Sequence, residues 1–513
     1  MNILAKRLAL VVSVLLAFVA AGCGVAPRTP PPVPKFSNAS LAGQYAFSMS
    51  GTELCAGLGS FFTRAGTFTA DGNGNITSGL EDINVCAGVA TLRFTGGSYS
   101  IGPDGRGTLS LVNSTGTTNY SITLPSATQG LIAQTDVNTT AAGSFQRQNP
   151  AAFSNPAIAG GYVFDFNGVK VTGTVVSGTS FVGRFNADGG GHISGAVFDS
   201  NVGGTLSGQQ PFPVSAFYRV DSNGDGSAFG RGTANIAGQL FAFYVVDATR
   251  VKFIGTGFPS AFVGDAVGQQ NIAFNIASLS GSFAFLIGGS SSTGSVATGG
   301  RFTADGAGKI TNVVIDENNS GSITLLPNGT VTGSYAVDAN QLGGGTLTWT
   351  DTKSGTFSFI FYLISPTQAV FQETDSNFVS DGTFSAQTTT PISAAALAGD
   401  YAFSLTGVNS DGEEDFVGQL KLTSASGNNA SGVMDFNQFS VASPKQFFNI
   451  QSSGPLTITA PGTGANTLTL TTTFPSPATF NFTAYAVDSN TVFLIGAESN
   501  RVSVIAGSLS RQP

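Results

Sequence analysis

The chain has 513 residues, a net charge of −8 and one histidine, and only 10% of its residues are charged, against the roughly 25% usual in soluble proteins. Without clustered Lys and Arg it has no footprint for a phosphate backbone, so nucleic acid is excluded as a partner; a single histidine excludes any site built on two, such as an HExxH zinc helix. Forty-two Phe and 68 Gly set among Thr, Ser, Asn and Val are the vocabulary of strands and turns, in a chain long enough for about three to five domains.

In chain order, the first element is an export signal over residues 1–22. Lys6 and Arg7 form the basic segment, residues 8–19 the apolar stretch, and Ala20-Ala21-Gly22-Cys23 a small-residue cleavage site. This resembles the lipobox of bacterial lipoproteins, with Ala20 where Leu is commonest. The resemblance implies that Cys23 carries a diacylglycerol and an acylated, palmitate-type amino terminus, a stable anchor because more than one chain enters the bilayer. An ordinary secretory signal cut nearby is the alternative. Gly24 after the cysteine implies outer-membrane sorting in the same family. Residues 23–38 then form a linker whose proline-rich part, 26–35, is an extended spacer. No later run reaches 18 apolar residues, so the body is not expected to span a bilayer with helices.

Four copies of one unit follow. Leu41-x-Gly43-x-Tyr45-x-Phe47 recurs as Ile158-x-Gly160-x-Tyr162-x-Phe164, Leu279-x-Gly281-x-Phe283-x-Phe285 and Leu397-x-Gly399-x-Tyr401-x-Phe403. A second signature, Phe68-Thr-Ala-Asp71-Gly-Asn-Gly74-Asn-Ile76, recurs around Asp188 and Asp305 and is lost from the fourth copy. Copies end on a Gly-x-Phe or Gly-x-Leu strand before Gln148, Gln387 or Gln512. The reading is four tandem β domains at 39–150, 156–272, 277–389 and 395–513, each expected to fold on its own core, joined near 149–155, 272–276 and 388–394.

Apolar-polar alternation in the third copy predicts eight short strands, at 281–286, 300–304, 310–315, 330–337, 346–349, 357–363, 369–373 and 382–386. Asp-Gly turns and short connections make an antiparallel meander, and eight meandering strands remove their edges by pairing first with last. The fold class is therefore all-β, with eight-stranded up-and-down barrels first and two-sheet sandwiches as the alternative. The Leu-x-Gly-x-Tyr opening and Gly-x-Phe close resemble small barrels of the avidin and lipocalin kind. The whole chain is also similar to uncharacterised repeat lipoproteins of acidobacterial envelopes, which carry GxYxF and FTADGNGxI units; that implies an envelope location and no known activity.

A third signature persists in all four copies: Asp82-x-Asn84, Asp199-x-Asn201, Asp316-x-Asn318 and Asp435-x-Asn437. Residues i and i+2 of a strand share a face, so each pair offers a carboxylate and an amide at a strand end, suited to a sugar hydroxyl or a hard cation. The other reading is that these side chains tie up backbone groups where a strand stops. Asp221-Ser-Asn223-Gly-Asp225-Gly226 matches the first half of a calcium loop but has Gly232 where the bidentate Glu belongs, so a hairpin turn is expected and no metal. Gly105-Arg-Gly-Thr108 and Gly230-Arg-Gly-Thr233 read as turn punctuation, and His192 as a solvated turn residue. Cys55 and Cys86 are expected to pair in an oxidising compartment, two buried thiols being the alternative.

No catalytic residue and no cofactor are expected: there are only seven Glu, no Gly-x-Ser-x-Gly elbow, and Asp is concentrated in turns. The functional expectation is a non-enzymatic envelope protein, anchored by lipid, whose four β domains serve binding, adhesion or structure, with a glycan or another envelope component as partner. Barrels enclosing a small apolar or saccharide ligand behind Tyr45, Phe47 and Phe68 are the second reading, and a carboxylate-based hydrolase the third.

Overall fold

The computed structural model describes residues 35–213, 215–351, 355–387, 393–424, 429–458, 465–473, 477–498 and 503–513. The export signal, Cys23 and the spacer up to residue 34 lie outside the described residues.

The first unit is a single antiparallel sheet of nine strands: β1 (Ala42–Cys55), β2 (Leu58–Asp71), β3 (Ile76–Val85), β4 (Gly88–Phe94), β5 (Gly96–Ile101), β6 (Arg106–Asn113), β7 (Gly116–Ser126), β8 (Gln129–Gln134) and β9 (Thr139–Arg147). Their order, β4-β3-β2-β1-β9-β8-β7-β6-β5, places the first strand beside the last, with Phe47 opposite Phe145 and Tyr45 opposite Phe68. Each of the other three units is also a nine-stranded antiparallel sheet with its first strand beside its last.

What differs is the remaining gap. In the third unit Lys309–Asn319 pairs with Val331–Val337 through Ile310 and Gly333, and in the fourth Lys445–Gly454 pairs with Ala465–Thr472 through Ser453 and Thr471, so eight strands close into a barrel in each. In the first and second units the gap is spanned by single bridges, Asn75 to Ser98 and His192 to Phe217, leaving curled half-barrels. All eight strands expected in the third unit form. The ninth, Ser322–Leu326, is a hairpin partner of the third strand alone and stands outside the ring of pairing.

Alternation explains the interiors. From β1, Tyr45, Phe47 and Met49 point into the unit, where Tyr45, Phe47, Phe68 and Phe145 are fully buried. Tyr45 stacks on Phe68 with centroids 5.6 Å apart, and Phe145 meets Phe68 edge-on at 5.5 Å. Trp349, Phe285, Phe302 and Phe371 fill the third barrel in the same way. These interiors are packed with side chains.

The Asp-Gly signature is a turn device. Asp71 Oδ1 accepts the amides of Asn73 (2.7 Å) and Asn75 (3.0 Å); Asp188 does the same for Gly190 and His192, and Asp305 for Ala307 and Lys309. Gly72, Gly189 and Gly306 occupy the left-handed region at φ 83°, 76° and 77°, where a Cβ would be strained.

The outer face of the opening strands is also buried, which alternation within one unit does not require. Ala46 and Ala65 pack on Ala242, Tyr244, Val246 and Ile254 of the second unit. Val163 and Val182 pack on Tyr362, Ile364 and Val370 of the third, and Ala284 and Ala297 on Tyr485, Phe493 and Ile495 of the fourth. The opening strands of the fourth unit, Gly399–Asn409 and Gly412–Leu422, pack in turn on β7 and β8 of the first. The units thus have separate cores but shared outer faces, and residues Phe36–Pro513 form one compact body. Small residues at 46, 65 and 284 are what let two sheets approach so closely.

Candidate functional site: the seams between units

The four Asp-x-Asn pairs all sit at these seams. Each asparagine lies near the end of its unit's third strand, buried, and its amide nitrogen donates to two backbone carbonyls that flank the last turn of the next unit. Asn84 donates to Gly255 (3.0 Å) and Ser260 (2.8 Å); Asn201 to Glu373 (3.2 Å) and Phe378 (2.8 Å); Asn318 to Gly496 (2.9 Å) and Ser503 (2.8 Å). Asn437, in the last unit, donates to Gln134 and Thr139 of the first, each at 2.7 Å. The array closes on itself as a ring.

A second amide repeats the pattern. Gln148 donates to Phe229 (3.0 Å) and Val245 (2.6 Å), Gln269 to Leu342 (2.9 Å) and Leu363 (2.7 Å), and Gln387 to Ala486 (2.7 Å). Gln512 returns to the first unit, on Asp104 (2.9 Å) and Leu124 (2.8 Å). The recurrent glutamine at the end of each copy is therefore an inter-unit clip. Gln269 belongs to the set, although its preceding Ala266 hides it from the Gly-x-Phe pattern.

The aspartates take hydroxyls and, once, a guanidinium. Asp82 accepts Tyr244 OH (2.8 Å) and a bidentate Arg231, Nε at 2.8 Å and Nη2 at 2.9 Å, besides Thr91 of its own unit. The planar fork matches both carboxylate oxygens. Burial works against the charge of Arg231, yet the Asp82 hydrogen bonds and charge hold its guanidinium above the usual range; burial, then Asp82, raises the Tyr244 hydroxyl. Asp199 accepts Tyr362 OH and Asp316 accepts Tyr485 OH, both at 2.5 Å. Burial pushes both carboxyls up, and the tyrosine hydroxyls partly offset it.

Asp435 lacks this partner. In strand register Tyr244 lies opposite Arg231, whereas Thr123 lies opposite Arg106 in the first unit. Asp435 instead accepts the Asn449 amide at 2.7 Å, and Arg106 bonds Asp104 and Asn449. The closing seam is correspondingly polar: Thr52 Oγ1 donates to Glu413 (2.5 Å), Thr140 Oγ1 to Asp415 (2.7 Å) and Gln446 to the Thr135 carbonyl (2.7 Å).

The four asparagines and the first three aspartates thus bond a neighbouring unit while Asp435 bonds its own, and the Arg231 that reads as turn punctuation in sequence is the cation of the first seam. The partial calcium motif forms a connection with one helical turn, Gly224–Ser227, and Asp221 lies 3.4 Å from Arg231 Nη1. No cluster of three metal-binding side chains occurs among the described residues. His192 is 84% exposed in its turn, with Nδ1 3.1 Å from Asp188. Cys55 and Cys86 form a disulfide that ties the end of β1 to the turn after β3.

No family model matches the chain, and no curated protein matches it. Among solved structures it is similar to a protein of unknown function from the DUF3598 family of Nostoc punctiforme, at 10% identity over 47% of this chain and 100% of that one, TM-score 0.14. It is similar to transferrin-binding protein B of Neisseria meningitidis at 10% identity over 75% and 85% of the two chains, TM-score 0.20. The same protein of Haemophilus parasuis aligns at 10% identity over 75% and 84%, TM-score 0.20.

Proposed function

We propose that the protein is a non-enzymatic, lipid-anchored component of the cell envelope, held at Cys23 in the outer membrane, whose closed ring of four β units is a rigid platform for binding an envelope or matrix component such as a glycan. The observation that carries this reading is the return of Asn437 and Gln512 of the fourth unit onto the first. A ring fixes four related surfaces in one geometry, so weak contacts add through effective concentration without the ordering entropy of flexible joints.

The packed interiors around Tyr45, Phe47 and Phe68 favour this over ligand carriage inside each barrel. The engagement of the Asp-x-Asn pairs in inter-unit bonds favours it over a two-carboxylate hydrolase. The test joins fractionation to a screen. The native chain is expected in the outer-membrane fraction and Cys23→Ser in the soluble fraction. The soluble Cys23→Ser ring should then bind an array of envelope glycans and matrix polymers without altering them. Unchanged fractionation of Cys23→Ser overturns the anchor, and cleavage of an arrayed glycan overturns the non-enzymatic reading.

A further inference from the structure

We propose that the cavity where the four units meet is a binding site for an organic cation with an apolar body, an alkylammonium, with its charge against Asp165 and Asp381 and its chain against valine walls. The cavity holds 770 Å³, within the range of small-molecule sites, and all four units line it. Ser50, Asn167, Gly288 and Thr406 occupy one register position in the four opening strands, and all four line it. It is therefore a product of ring closure.

Its lining carries three carboxyl groups, Asp165, Asp381 and Glu413, and no lysine or arginine. Asp165 comes from the second unit and Asp381 from the third, and their carboxyl groups meet across the seam together with Asn167 and Ser180. Asp165 Oδ1 is buried and receives no N–H or O–H among the described residues; its neighbour across the seam is the Asp381 carboxyl, itself an acceptor when ionised. Arg250 and Lys252 line an adjoining pocket that Asp165 and Asn167 also border, and both are bonded to Asp265. Lys252 Nζ bonds Ser48 (3.1 Å), Ser144 (3.2 Å) and Asp265 (3.3 Å), and Arg250 bonds Asp265 at 2.8 Å.

Val169, Val296, Val379, Val408 and Val504 make the apolar part of the wall, with hydroxyls of Thr179, Ser290, Ser295 and Thr406 between them. A hydrated metal ion gains nothing from such a wall; an ammonium on a hydrocarbon body matches both halves. Burial first, then the neighbouring carboxylates, pushes Asp165 well up, and burial pushes Asp381 up to about 6. A bound cation reverses that balance, so binding near pH 6 releases protons. The site stands apart from whatever the outer surface of the ring displays.

The probes are octylammonium and 1-octanol, titrated calorimetrically into the otherwise full-length Cys23→Ser protein at pH 6 in two buffers of different ionisation enthalpy. Octylammonium is expected to bind with proton release, and octanol at least tenfold more weakly. Asp165→Asn and Asp381→Asn, which mimic the protonated acids, should each weaken octylammonium at least tenfold while thermal stability is kept. Ser50→Lys, which places an ammonium in the cavity, should block it. Equal affinity for octanol, absence of saturable octylammonium binding, or unchanged affinity in folded aspartate variants overturns the proposal; the comparison of the two probes needs no variant.

Discussion

The side-chain nitrogen of Asn437 lies 2.7 Å from the carbonyl oxygen of Thr139, a contact between the last unit and the first that spans 298 positions of sequence. Asn84 makes the equivalent bond to Ser260 of its immediate neighbour at 2.8 Å. The same short side chain therefore joins units that are adjacent in sequence and units at opposite ends of the chain.

Asn437→Ala removes the donor to Gln134 and Thr139 and leaves two carbonyls unpaired at the seam. Each costs about 1–3 kcal/mol. The expected result is a fall of about 2–6 kcal/mol in unfolding free energy by urea titration, with faster hydrogen exchange over residues 134–140 of the first unit. Unchanged exchange there contradicts the clip.

Arg231 and Arg106 occupy the same register position in consecutive units but differ in partner. Arg231→Met strands the buried Asp82 carboxylate and is expected to destabilise by about 3–5 kcal/mol. Arg106→Met removes a partly exposed pair with Asp104 and is expected to cost about 1 kcal/mol or less. Adding Asp82→Asn to Arg231→Met should recover part of the loss, which denaturation of the double variant measures.

Burial pushes Glu373 up to about 8 and Asp415 up to about 7. A carboxyl whose folded pKa exceeds its unfolded value holds more protons in the native state, so its contribution is full below about pH 4 and is lost as pH rises through the folded value. Asp71, held down to about 2 by the amides and side chain of its turn, opposes this only in acid. Stability is therefore expected to be higher at pH 5 than at pH 8, and Glu373→Gln should flatten part of the difference. Urea midpoints at the two pH values decide; a higher midpoint at pH 8 contradicts the assignment.

The Cys55–Cys86 bridge closes a separation of 31 residues, worth about 3 to 4 kcal/mol in the chain-entropy model. Titration of the denatured, unreduced protein lacking Cys23 should find no free thiol, and Cys55→Ser with Cys86→Ser should lower the unfolding free energy by that order.

The repeats, the eight ring strands and the pairing of first with last strand were legible because each is written in residue type: Phe and Tyr alternate inward, and Asp-Gly marks the turn between the second and third strands in three copies. The ninth strand at Ser322–Leu326 was not, because it is only five residues long and its alternating Ile323 and Leu325 do not reach the core, Leu325 being exposed. The seams were half legible. Asp82-x-Asn84 and the terminal glutamines stand out by recurrence, but their partners are mainly backbone carbonyls, which leave no trace in sequence. Tyr244, Tyr362 and Tyr485 offered a usable signal, a tyrosine near the end of one strand in three copies of four, whose purpose appears only beside the aspartate of the preceding unit.

Ring closure is tested most directly by a distance between the first and last units. Val137 and Val441 are 65% and 52% exposed and flank the Thr139–Asn437 contact in sequence, so nitroxide labels at these two positions should disturb little. Chain geometry places their Cα atoms within about 30 Å of each other when that bond is made. Double electron-electron resonance is expected to give a single narrow distribution in that range, broadening in Asn437→Ala with Gln512→Ala. A broad distribution on the order of 100 Å, the span of an open string of four domains of this size, would contradict the closed ring.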